Sequence, residues 1–239
     1  MNYRDAQKQI LDELVKKSWA GDNPASSVAF NSDFSKDDRL CLTFLTFLPD
    51  RKKEKIVSLI DRLKAPMKDH YLYPPESLHV TIQNVRSVSE KPNFTTDDIK
   101  IARETFARTL NEFEQEKLSL QFELKGLLLL PGSLSIVAYA DEHYPEFILR
   151  LRKNLSLAGV EDNKKYISDK IVFGNCTIAR FSRELDQNLI DLINSENRFE
   201  AGFFNTQSIH LVTTNAVCHP LYTKVRETFE LKSTENPAQ

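Results

Sequence analysis

The sequence is short of the residues on which several functions depend. It has three cysteines, Cys41, Cys176 and Cys218, among 239 residues. Their odd number and lack of paired spacing argue against a disulfide framework and a thiolate metal site, and fit a reducing cytoplasm. The five histidines, His70, His79, His143, His210 and His219, include no HExxH or comparable ligand spacing. Neither a metal nor another cofactor is therefore expected. Glycine is scarce, and "LLLLPGSLS" has one glycine without the Lys-Ser/Thr that completes a phosphate loop. No apolar run reaches the roughly 20 residues needed to cross a bilayer. The opening "MNYRDAQKQILDELVKKSWAGD" is amphipathic and carries acidic residues, unlike a secretory or organellar leader. No membrane partner is expected. A net charge of -2 lacks the cationic excess of a general nucleic-acid coat protein, yet leaves room for a small anion in a local basic pocket.

What is present is an ordinary globular composition, 41% hydrophobic and 28% charged. The chain is long enough for one large domain or two small lobes. Residues 3–17 predict a helix with Ile10, Leu11, Leu14 and Val15 on one stripe. The first strand is "RLCLTFLTFL", and "RKKEKIVSLIDRLK" is a helix burying Ile56, Ile60 and Leu63. A helix from about Asp97 to Gln115 is started by Thr95, Thr96 and two aspartates. Then "LSLQFELKGLLLL" and "SLSIVAYAD" read as strands, "YPEFILRLRKNLSLAG" as a helix, "IVFGNCTIARF" as a strand and "RELDQNLIDLINS" as a helix. "FNTQSIHLVTTN" and "YTKVRETFEL" read as closing strands. This alternation, in two similar passes without a low-complexity linker, predicts α+β lobes packed together. Residues 1–38 are expected to form a helical extension and loop, and 39–239 a single bilobal domain.

Two strands carry more polarity than a core strand needs. Along "PPESLHVTIQNV", successive side chains point to opposite faces, so Leu78, Val80 and Ile82 share a core face while His79, Thr81 and Gln83 share the other. The second face is either a polar sheet surface or half of a site. "GNCTIARF" repeats the pattern: Cys176 and Ile178 face one way, Asn175 and Thr177 the other.

Four stretches, "SLHVTI", "GLLLLPGSLSIVAYA" before "LRLRKNL", "GNCTIARF" and "SIHLVTTNAVCHPLYTKVRETFEL", together resemble the 2H phosphoesterase superfamily. That superfamily includes LigT-like 2'-5' RNA ligases and cyclic nucleotide phosphodiesterases. The resemblance runs from about Arg39 to Leu231. It implies two pseudo-symmetric lobes, each an antiparallel sheet with helices on its outer face, around a central cleft to which each lobe gives a His-x-Thr/Ser motif. It also implies metal-free acid–base chemistry, without cofactor, on a nucleotide or RNA terminus bearing a 2',3'-cyclic phosphate or a 2'-5' linkage. Carried over residue by residue, His79 is the acid or base and Thr81 and Thr177 hold phosphate oxygens. Arg180 matches a recurrent arginine beyond the second motif. The departure is Asn175, which stands where the family has its second histidine. An amide cannot change protonation near neutral pH, and one lost proton-transfer role is worth roughly 10²–10⁴-fold in rate. The implied function is therefore a phosphoesterase-like hydrolase with weak or altered activity, or a binding module that keeps the cleft.

Each residue also has a plainer reading. His79 reads equally as a surface strand histidine, Arg180 as half of an ion pair, and Tyr73 as a core cap rather than a base-stacking platform. His210 shares a strand face with Ser208, Val212 and Thr214; it is either a half-buried structural histidine or a replacement imidazole reaching the substrate. Lys164, Lys165 and Lys170 either funnel phosphate inward or are simply solvated. His70, His143 and His219 are expected to face solvent. A cytoplasmic monomer is the expected state.

Overall fold

The computed structural model describes residues 2–22, 30–31, 33–88, 94–114, 120–141, 143–160, 164 and 166–231. Along the chain run α1 (Tyr3–Trp19), β1 (Cys41–Phe47), α2 (Asp50–Lys64), β2 (Tyr71–Leu72), β3 (His79–Arg86) and α3 (Thr96–Glu114). They are followed by β4 (Gln121–Leu130), β5 (Ser133–Ala140), α4 (Tyr144–Leu157), β6 (Gly174–Arg180), α5 (Gln187–Ser195), β7 (Glu200–Asn205), β8 (Ser208–Thr214) and β9 (Lys224–Glu230). The strands form two antiparallel sheets, ordered β3-β1-β8-β9 and β2-β6-β5-β4-β7. This is the expected α+β arrangement of two lobes.

Local chemistry sets the helix starts. The Thr95 hydroxyl accepts from Asp98 N–H at 3.1 Å while the Asp98 carboxylate accepts from Thr95 N–H at 2.6 Å, a reciprocal cap. The helix expected from Arg183 begins at Gln187, because Asp186 caps it by accepting from Leu189 N–H at 2.9 Å. "FNTQSIHLVTTN", expected as one strand, is two. Thr206 and Gln207 carry the chain from β7 in one sheet to β8 in the other, without a glycine or proline to mark the crossing. β7 itself starts further upstream, at Glu200, and includes Gly202 at a left-handed φ of 80° that residues with a Cβ rarely adopt.

The lobes exchange chain. β2, just before the first motif, joins the sheet of the second through Tyr71–Arg180 and Leu72–Ala179 pairs. β8 and β9, from the end of the chain, complete the sheet of the first. One core runs through both, with Phe44 stacked on Phe106 at 4.5 Å and Phe106 edge-on to Phe147 at 5.7 Å. Leu78, Val80, Cys176 and Ile178 are all buried in it. Where β3 and β6 approach, only a glycine fits. A Cβ on Gly174 would lie 2.7 Å from Val80 Cγ1 and 3.3 Å from both Ala138 Cβ and Phe122 Cε1.

α1 lies across the second sheet. Leu11 and Leu14 pack with Leu128, Leu130 and Val137. The buried line is Gln7, Leu11, Leu14 and Ser18, so the stripe is narrower at Ile10 and longer at both ends than the apolar residues alone suggest. Arg4 pairs with Glu123 and stacks over the Tyr139 ring at 3.3 Å. Tyr3 grips the segment that leads into β6. Its hydroxyl donates to Val172 O at 2.9 Å and accepts from Val172 N–H at 2.8 Å.

Candidate active site

The two polar strand faces meet in one cavity of about 630 Å³. His79 and Thr81 from β3, and Asn175, Thr177 and Arg180 from β6, all line it, as do Tyr73 and the Leu14 side of α1. Strict alternation alone does not explain this set. In β6, Leu134 pairs with Ala179 and Ser135 with Thr177, so Ile178 bulges out of register. The extra residue turns Arg180 onto the face of Asn175 and Thr177. β3 has the matching irregularity: Phe44 pairs with Gln83 and Leu45 with Thr81, leaving Ile82 unpaired. Asn84 thereby reaches the cavity at the place in the first motif that Arg180 holds in the second. Gln83, expected beside His79 and Thr81, is instead 3% exposed behind the wall. There its side chain accepts from Arg152 Nε at 2.7 Å and donates to the Tyr166 hydroxyl at 3.1 Å.

His79 is held in one orientation. Its Nδ1 lies 2.7 Å from the Ser77 carbonyl; a carbonyl only accepts, so Nδ1 carries the proton and Nε2 is left for the cavity. Burial lowers the imidazole pKa, but the electrostatic interaction with Cys218, aided by Ser77, carries it above the ordinary histidine value despite Arg180. Asn175 is tied down as well. Its Nδ2 donates to Ser135 Oγ at 3.1 Å and to Thr177 Oγ1 at 3.2 Å, and Ser135 Oγ donates to Thr177 Oγ1 at 3.2 Å. Arg180 brings a charge and an Nε that is buried without a hydrogen-bond partner.

The cavity is cationic in a chain that is slightly acidic. Among the described residues, Arg152, Lys164 and Arg180 line it against one carboxylate, Asp22, which favours an anionic ligand. Arg152 also stacks over Tyr166 at 3.6 Å. Tyr73 packs in the core as its plainer reading expects, 3% exposed and edge-on to Tyr71 at 5.5 Å, and it also lines the cavity. Among the described residues, no group of His, Cys, Asp and Glu is arranged to hold a metal.

His210 is not brought to this cavity. It sits against Phe47, with ring centroids 5.4 Å apart, and its Nε2 and Nδ1 each lie 3.0 Å from a hydroxyl, of Ser208 and Thr228 respectively. Lys170 does not line the cavity either, and Lys165 lies outside the described residues. His70, expected in solvent, packs edge-on to Phe181 at 5.3 Å and accepts from Ser182 N–H. Sequence reasoning missed Ser135, Asn84, Arg152, Tyr166 and Cys218. The alternating serines of "SLSIV" were a signal for Ser135; nothing local marked the others.

No protein-family model matches the chain, and no curated protein matches it significantly. Solved structures do. Escherichia coli LigT complexed with phosphate superposes with a TM-score of 0.55 at 11% identity, over 82% of this chain and 99% of LigT. A structure described as a phosphoesterase gives 0.56 at 12%, over 82% and 99%. TT0787 of Thermus thermophilus gives 0.53 at 15%, over 82% and 100%. The chain has a LigT-like fold. Within that fold, the cavity at the meeting of β3 and β6 lies between the two polar motifs, one carrying an imidazole and the other an amide. No described helix is long and apolar enough to cross a membrane.

Proposed function

We propose that this protein binds the phosphate of a small nucleotide or RNA end between Thr81 and Thr177, and cleaves a 2',3'-cyclic phosphate or 2'-5' linkage slowly with one imidazole. The observation that carries this reading is the convergence of His79, Thr81, Thr177 and Arg180 on one cationic cavity. Arg180 supplies charge to the phosphate, and its unpartnered Nε gains an acceptor. His79 Nε2 moves the proton, oriented by Ser77. Escherichia coli LigT has also been solved complexed with 3'-AMP, a ligand of the size and chemistry this cavity suits.

Asn175 favours a second reading, a binding module without turnover. Its amide cannot donate a proton to a leaving oxygen, and its NH₂ is already spent on Ser135 and Thr177. One experiment separates the two. Purified protein is offered a 2',3'-cyclic nucleotide while binding of 3'-AMP is titrated in parallel, for the parent and for His79→Ala. Slow turnover lost in His79→Ala supports the enzyme. Retained binding with no turnover in either protein supports the module, and absence of both overturns the phosphate reading.

A further inference from the structure

The cleft wall holds a nucleophile that the reaction proposed above leaves unused. Cys218 lines the cavity beside His79, and the two side chains interact electrostatically. Because Ser77 occupies the Nδ1 side, Nε2 is the imidazole nitrogen that faces the cavity. Thr223 Oγ1 donates to Sγ at 3.6 Å, and Thr214 Oγ1 lies 2.7 Å from Thr223 Oγ1. Ser77 also ties the pair together, since its hydroxyl donates to the Cys218 carbonyl at 2.7 Å. Displacement at phosphorus places entering and leaving oxygens roughly in line on opposite sides. His79 and Cys218 stand on the same wall, so Cys218 does not replace the imidazole missing at Asn175.

We propose that Cys218 is a hydroperoxide-sensitive thiol, activated by its pairing with His79 in the cavity wall, and that its oxidation closes the cleft to phosphate. The first half is independent of the function proposed above; the second rests on it. The Cys218 thiolate attacks the distal oxygen of a hydroperoxide. An S–O bond forms, the O–O bond breaks, and the thiolate is oxidised by two electrons to a sulfenic acid. The departing alkoxide or hydroxide takes the proton from His79 Nε2 and leaves as alcohol or water, with the imidazole neutral. The added oxygen then occupies the space beside Nε2 that a phosphate oxygen would use.

The other two cysteines are internal controls. Burial pushes the Cys41 and Cys176 thiols up to about 12, whereas at Cys218 burial is outweighed by His79, Thr223 and Thr214, which bring the thiol below its ordinary value. Reactivity follows the thiolate. The site is 3% exposed and faces the cavity, so the reagent must be small or enter where the substrate does.

The test treats the full chain with hydrogen peroxide at pH 7, traps sulfenic acid with a cyclic 1,3-diketone and maps it by mass spectrometry. Trapping at Cys218 should be at least tenfold faster than at Cys41 or Cys176, and at least tenfold slower in His79→Gln. If His79→Gln does not fold, Thr223→Val serves instead, with a severalfold slowing expected. Equal rates at the three cysteines, no trapping at Cys218, or an unchanged rate in a folded variant overturns the first half. Oxidised protein should lose binding of 3'-AMP and regain it with a thiol reductant. Binding unchanged after stoichiometric oxidation overturns the second half. Trapping needs neither nucleotide nor turnover, so its outcome is read separately from that of the proposed function.

Discussion

Gly174 and Val80 touch where the two sheets meet: a Cβ at Gly174 would stand 2.7 Å from Val80 Cγ1. This contact sets the distance between the motif strands, because Gly174 immediately precedes Asn175 and Val80 lies between His79 and Thr81. Gly174→Ala should therefore destabilise the fold by about 1–3 kcal/mol through overpacking, read by denaturant unfolding. Val80→Ala in the same chain should recover part of the loss from Gly174→Ala. Simple additivity of the two losses would show that the contact is not the cause.

The His79 imidazole should titrate above the ordinary value of about 6.5. With the folded value raised, its contribution to stability is complete below about pH 6.5 and fades as pH rises through the folded value. Removing the thiol in Cys218→Ala leaves burial and Arg180 pulling downward against Ser77 alone. The imidazole signal, followed by NMR, should then titrate at lower pH than in the parent. No movement in that variant would show that Cys218 does not hold the proton on His79.

Asn175→His returns a titratable group to the second motif. The new side chain enters a place where hydroxyls of Ser135 and Thr177 already stand 3.1 and 3.2 Å from the amide nitrogen. Hydrolysis of a 2',3'-cyclic nucleotide should rise at least tenfold, about 1.4 kcal/mol of barrier. The gain should disappear in the double variant with His79→Ala, because the two imidazoles act as a unit. A folded Asn175→His that binds 3'-AMP and gains nothing would mean that the site is not a disarmed two-histidine one.

Tyr3 couples α1 to the second motif. Tyr3→Phe removes both bonds to Val172 and should cost about 1–3 kcal/mol, since a buried peptide group loses partners. Gln7 Nε2, which also donates to Val172 O at 2.8 Å, limits the loss on the carbonyl side. Thermal unfolding measures the effect, and a melting temperature equal to the parent's would contradict it.

Much of the fold was legible because periodicity survives in the elements that face one core. β1, α2, α3 and α4 lie close to where their apolar residues place them, and the faces of Leu78 and Val80 against His79 and Thr81 follow from alternation alone. What alternation cannot show is a bulge. By parity Arg180 belongs with Cys176 and Ile178; the register shift at Ile178 is what turns it into the cavity. Cys218 was illegible for a different reason: it comes from a loop residue with a φ of 50°, and only tertiary packing sets it beside His79. The split of "FNTQSIHLVTTN" escaped because the crossing at Thr206–Gln207 is fixed by its bond to Leu120, Thr206 N–H donating at 2.8 Å, rather than by local turn chemistry.

The most direct test of the account is calorimetric titration of 3'-AMP into the parent, Arg180→Ala and Thr177→Val, with circular dichroism confirming that each variant is folded. The account predicts saturable one-to-one binding to the parent, weakened at least tenfold by Arg180→Ala and measurably by Thr177→Val. Affinity unchanged in both folded variants, or no binding to the parent at millimolar nucleotide, would contradict it.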